Sequence, residues 1–202
     1  VTEPAPSLQV SFLPAELARW DQLEEAQIPE ALVLPFFSDE RPLRGAAGLV
    51  DWRLCGRLSR MLKAGRVRGA LGEATLYPPP STPTRRVPFP RIVLFGLGAL
   101  ERTQDQAAVD ALAERASRAL ADVIAGLGLE RVAVVPPGRS TGRLGARRAL
   151  ELLLSALGAP GRDRTSLRHL VVVESAAGMK EAADLARLPA AAAAVAGERP
   201  TD

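Results

Sequence analysis

Glycine-bearing turns recur in this chain where apolar runs meet helical patterns, and they constrain the fold more than any other feature. They read Leu43-Arg44-Gly45-Ala46-Ala47-Gly48-Leu49-Val50-Asp51, Gly72-Glu73-Ala74-Thr75-Leu76-Tyr77-Pro78, Arg91-Ile92-Val93-Leu94-Phe95-Gly96-Leu97-Gly98 and Ser140-Thr141-Gly142-Arg143-Leu144-Gly145. Glycine lets the backbone turn sharply between a strand and a helix. Strands alternating with helices, with central strands apolar on both faces, predict an α/β fold: a three-layer α/β/α sandwich around a mixed sheet. Ligands of such sheets bind beyond the carboxyl ends of the strands, where these turns fall.

The periodicities place strands at 8–13, 31–34, 73–77, 91–97, 131–135 and 169–173. Helices are expected from Pro14 to Trp20, over 48–64, from a capping box at Thr103 and Gln106, from about Gly142 to Leu157, and over 179–196. Pro35 is expected to end the second strand. Residues 78–90 and 158–164 read as loops. A single domain over 1–196 with a frayed tail at 197–202 follows.

Composition narrows the function classes. No stretch of about 18 apolar residues exists, so no membrane span is expected. A chain beginning at Val1 is compatible with a removed leader. The pI near 9.7 accompanies a net charge of only +3, with Lys63 and Lys180 as the only lysines. That balance, with 4% aromatic residues, does not read as a nucleic-acid footprint. Cys55 is the only cysteine, expected as a buried small hydrophobe, and it permits no intrachain disulfide. A reducing, cytoplasmic compartment is the expectation. One Cys and one His do not make an ordinary zinc site, and no cofactor or metal is implied.

From Ala31 to about Leu157 the chain resembles the amino-terminal domain of the M17 leucyl aminopeptidases. The pattern is a strand, the acidic loop Ser38-Asp39-Glu40, a helix, Leu71-Gly72-Glu73 entering a strand, the 91–98 strand and turn, then a long Ala-rich helix. In that family the two-metal peptidase site lies in a carboxy-terminal domain with an Asn-Thr-Asp-Ala-Glu-Gly-Arg stretch. No such stretch occurs in these residues, so no catalytic residue carries over and peptidase activity is not expected.

The family's amino-terminal domain is similar to macro domains, which bind ADP-ribose. Pro136 to Gly145 looks like the macro phosphate loop, which implies ligand contacts at Ser140, Thr141, Gly142, Arg143 and Gly145. Gly45, Gly48 and Asp51 look like a weakened version of its glycine run, and Gly96 and Gly98 join this second loop. Glycines let backbone N–H groups approach an anion, the following helix offers a positive end, and Arg139, Arg143, Arg147 and Arg148 add charge. Two departures weaken the ribose end. Pro35-Phe36-Phe37-Ser38 stands where the macro signature has Asn-Ala-Ala-Asn, and Leu144 replaces an aromatic residue.

Other arrangements carry less. His169 has no Gly-x-Ser-x-Gly elbow to serve. Asp39, Glu40 and Asp51 form an acidic group of the solvated kind. Gly96-x-Gly98 lacks the third glycine of a dinucleotide fingerprint. The expected function is a non-catalytic interaction, assembly or regulatory module, pairing with a second copy or a separately encoded aminopeptidase. The alternative is a macro-like binder of ADP-ribose or another phosphate-bearing nucleotide, and a weaker third is an ADP-ribosyl hydrolase.

Overall fold

The computed structural model describes residues 8–80, 87–100, 105–159 and 166–187. Strands β1 (Gln9–Pro14), β2 (Ala31–Phe36), β3 (Ala74–Tyr77), β4 (Ile92–Gly96), β5 (Arg131–Val134) and β6 (His169–Glu174) form one sheet in the order β1-β6-β5-β2-β4-β3. All neighbours run parallel except β3, which is antiparallel to β4. The helices are α1 (Leu17–Trp20), α2 (Gly45–Arg53), α3 (Arg57–Lys63), α4 (Gln106–Leu127), α5 (Ala146–Gly158) and α6 (Ala176–Glu181).

Side chains alternate across the pleat, so each central strand feeds two cores. Val33, Val93, Phe95, Val132, Val134, Leu170 and Val172 face Leu120, Ile124, Leu150 and Leu153 of α4 and α5. Leu32, Leu34, Ile92, Leu94, Ala133, Val171 and Val173 face Trp20, Val50, Leu58 and Leu62 of α1, α2 and α3. The three-layer α/β/α sandwich with a mixed sheet is thus realised.

Several local expectations change. The helix expected over 48–64 is two helices, because Cys55 (φ 54°) and Gly56 (φ 75°) adopt left-handed conformations. Cys55 is exposed at that break rather than buried. Pro14 ends edge strand β1 instead of opening a helix, and an edge tolerates its missing donor. Pro35 lies within β2. The β5 pairing has ended at Val33, so no ladder bond is lost on that side. Helix α4 is capped by Asp105, whose carboxylate accepts the Ala107 amide at 3.0 Å. Thr103 lies outside the described residues. Helix α5 begins at Ala146, after a 3-10 turn at Arg139–Thr141. The closing helix is short α6 and a further 3-10 turn at Leu185–Arg187. Residues 188–196 and the tail at 197–202 lie outside the described set.

Gly96 fixes the β3–β4 corner. A Cβ there would sit 2.1 Å from the Ala70 carbonyl oxygen and 2.5 Å from the Gly69 carbonyl carbon. Both are backbone atoms that cannot rotate away. Gly96→Ala is expected to cost about 3 kcal/mol. Gly126→Ala in α4, where a Cβ meets nothing within 4 Å, is expected to add up to about 1 kcal/mol. Urea midpoints of the two variants check this; equal shifts would contradict it.

Candidate ligand cleft

A cavity of about 250 Å3 opens beyond the carboxyl ends of β2, β5 and β6. Its floor is Leu34, Pro35, Val135 and Val173; its rims are Arg44 to Ala47 at the start of α2 and Gly138 to Ser140. This is where an open parallel sheet places a ligand.

Of the three charged residues that line it, Arg44, Arg139 and Glu174, the last two hold each other. The Arg139 guanidinium donates from Nε to Glu174 Oε2 at 2.5 Å and from Nη2 to Oε1 at 3.1 Å. Its third nitrogen donates to the Leu144 carbonyl, and the Ser175 amide donates to Glu174 at 2.7 Å. Burial opposes the charged form of Glu174. The hydrogen bond from Arg139, the Ser175 amide and the Arg139 charge outweigh it and hold the carboxyl below its ordinary value.

Carboxylates also stand beside the expected phosphate loop. Gly145 precedes α5, but a Cβ there would meet Glu181 Oε1 at 2.5 Å, and the Arg147 amide donates to that oxygen at 3.2 Å. A carboxylate from α6 thus occupies the positive end of α5. Arg147 pairs with Glu151 and Asp184, and Arg148 with Asp110 and Glu151. Thr141 Oγ1 donates to the Gly138 carbonyl and accepts the Arg143 amide, a local turn. Gly142 (φ 69°) ends the 3-10 turn.

Of the ligand contacts expected from the sequence, Gly45 and Ser140 line the cavity, together with Pro136 and Arg139 of the same loop. Asp51 lies apart: its carboxylate accepts the amides of Leu58 (2.8 Å) and Ser59 (3.1 Å), capping α3. Gly48 packs inside α2, where a Cβ would be 2.5 Å from the Leu43 carbonyl oxygen. Gly96 and Gly98 bond to the backbone of Gly72, Glu73 and Gly69. The acidic group also separates, with Asp39 accepting from the Leu100 amide and Glu40 from that of Phe37. His169 sits at the amino end of β6, opposite the cleft, with Nε2 2.7 Å from Ser11 Oγ. Burial and the Arg131 charge lower its pKa. No group of three His, Cys, Asp or Glu side chains able to hold a metal occurs among the described residues.

Sequence reasoning missed Arg44, Pro35, Glu174 and Ser175 as cleft residues. Only Pro35 carried a local signal, as the departure from the macro signature. The whole chain contains no asparagine, so neither Asn of that signature has a counterpart.

Such a sheet and cleft define a macro-domain-like α/β protein. The macrodomain of Mycobacterium tuberculosis DarG aligns with TM-score 0.57 at 19% identity, covering 83% of this chain and 99% of that one. Thermosipho africanus DarTG in complex with ADP-ribose aligns at 0.50 and 14% identity, over 72% and 38% of the two chains. A mutant tomato leucine aminopeptidase aligns at 0.54 and 14% identity; 93% of this chain matches, and it spans 37% of the plant enzyme. Identities this low show the fold alone. Curated protein sequences give no significant match. Residues 33–157, more than half of the chain, match the N-terminal domain of the cytosol aminopeptidase family, and the chain belongs to that family. Among the described residues, no helix is long and apolar enough to cross a membrane.

The Arg139–Glu174 pair yields a pH prediction. A folded carboxyl pKa below the unfolded value gives stability that is complete above about pH 5 and lost as pH falls through the folded pKa. Glu174→Gln leaves Arg139 without its partner, costs about 3 kcal/mol at neutral pH, and flattens the acid limb of stability. Urea unfolding from pH 7 to about pH 2 checks this; an unchanged acid limb would contradict it.

Proposed function

We propose that this domain is a non-catalytic interaction or assembly module, pairing with a second copy or with a separately encoded aminopeptidase. The observation that carries the reading is the β3 edge. Strand β3 pairs only with β4, leaving its outer backbone row without a strand among the described residues. Leu76 on that edge is 54% exposed, and Leu71 just before it is 41% exposed. An unpaired strand edge flanked by exposed leucines templates association. The internally paired Arg139 and Glu174, with an apolar floor at Leu34, Pro35 and Val173, support the non-catalytic part.

Covering Leu76 contributes about 1.5 kcal/mol, so Leu76→Lys is expected to weaken association roughly tenfold or more. Sedimentation velocity over a concentration series, with affinity capture of co-purifying aminopeptidase, tests it. A strictly monomeric protein that recovers no partner contradicts the proposal.

One observation favours a second reading, a phosphate-bearing ligand in the cleft. The start of α2 has no side-chain cap and lies in the cavity wall beside Arg44, and the first amides of a helix lack intrahelical acceptors. DarTG, a structural neighbour, is known in complex with ADP-ribose. Under this reading ADP-ribose binds at the α2 end rather than at the α5 loop. Calorimetry, with AMP and inorganic phosphate as controls, shows saturable binding that Arg44→Glu weakens about tenfold. A flat trace removes this reading.

A further inference from the structure

Charge is distributed in this molecule against the expectation from its motifs. The arginines of the 139–148 loop and helix include Arg139, Arg147 and Arg148, each paired with a carboxylate. The run from α3 onward is different. Arg57, Arg60, Lys63, Arg66 and Arg68 follow one another with no Asp or Glu from residue 52 to residue 72. They concentrate five positive charges in a chain whose net charge is only +3, so the remainder is net negative; Arg53 beside them is held by Asp21.

The carboxylates that bracket this run are engaged elsewhere. Asp51 accepts the Leu58 and Ser59 amides. Glu73 accepts those of Arg68, Gly69 and Ala70. Burial opposes ionisation of Glu73, but these amides and the Arg68 charge outweigh it, and the group stays charged in that role. Among the described residues, Arg57, Lys63 and Arg66 form no ion pair, and Arg60 donates to the Cys55 carbonyl at 2.8 Å.

Geometry converts this charge into a site. A trough of about 540 Å3 between α3 and β3 is lined by Arg57, Arg60, Met61, Ala64, Arg66 and Tyr77. Its volume lies in the range of small-ligand pockets. A second hollow of about 330 Å3 shares Arg57 and Arg60 with it. The Tyr77 hydroxyl is buried and has no hydrogen-bond partner among the described residues. An unmatched buried polar group in a native structure calls for an explanation, an ordered water or ion among them.

We propose that this trough binds a small polyphosphate-bearing ligand, with Arg57, Arg60 and Arg66 gripping the phosphoryl oxygens and Tyr77 completing the site. Guanidinium groups are suited to phosphate because their forked donors match its oxygens. Clustered arginines around one hollow fit charge concentrated within a few ångströms. Tyr77 is the only aromatic side chain in the lining, which gives no platform for successive stacked bases. The site is separate from the cleft beyond β2, β5 and β6, and stands whether or not that cleft holds a ligand.

Inorganic tripolyphosphate, titrated by calorimetry at about 0.1 M salt, tests the proposal. Saturable binding is expected in the wild type. The Arg57→Ala, Arg66→Ala double variant weakens it at least tenfold, and Tyr77→Phe weakens it about fivefold. Arg147→Ala, outside the trough, leaves it unchanged. Circular dichroism confirms folding of each variant, and the exposed Arg57 and Arg66 are not core residues. Absence of saturable binding overturns the proposal. So does equal affinity of the wild type and the double variant, or binding of polymeric RNA with none of tripolyphosphate.

Discussion

The ion pair between Arg139 and Glu174 organises the carboxyl end of the sheet. It ties the loop after β5 to the last residue of β6. Arg139 then reaches Leu144 on the far side of the loop, whose side chain is buried against Val109, Ala113 and Leu152. Gly178 belongs to the same arrangement, since a Cβ there would meet the Glu174 side chain at 2.5 Å. One guanidinium therefore sets the loop, the strand end and the start of α6 together. Such a pair is strongly coupled to its surroundings because losing either partner strands the other.

This pairing separates the fold from the chemistry that the fold can host elsewhere. The chain belongs to the cytosol aminopeptidase N-terminal domain family and shares its architecture with macrodomains. In this chain Glu174 pairs with Arg139 of the loop with the look of a phosphate cradle, and Glu181 accepts the Arg147 amide at the start of α5. The cleft floor offers Pro35, which has neither a side-chain polar group nor an N–H. Among the described residues, cations without ion-pair partners are found instead at Arg57 and Lys63 of α3 and at Arg66 beyond it, after the break at Cys55 and Gly56. A fold fixes where a site can be, and the residues decide what it does.

Much of the architecture was legible in the sequence because burial writes simple patterns. Strands β4 and β6 are apolar on both faces, so their runs are continuous, and α4 repeats its apolar residues at helical spacing. The break between α2 and α3 was not legible. Leu54, Leu58 and Leu62 are all buried as one stripe would require, and nothing in the sequence shows that Cys55 turns left-handed. The site was least legible of all. Arg139 finds Glu174, and Gly145 meets Glu181, across some 35 residues, and local motifs hold no record of such partners. The Ser-Thr-Gly-x-x-Gly pattern placed a tight turn before a helix, while the carboxylates beside it, Glu174 on Arg139 and Glu181 against Gly145, come from β6 and α6.

The most direct measurement is an amide-resolved nuclear magnetic resonance titration of the labelled protein with inorganic phosphate and with ADP-ribose. If the chain's own carboxylates occupy the α5 loop, the amides of Arg143, Gly145 and Arg147 keep their positions at millimolar ligand. Saturable movement of those amides in the micromolar range would show that the loop is an open anion seat and would contradict the account.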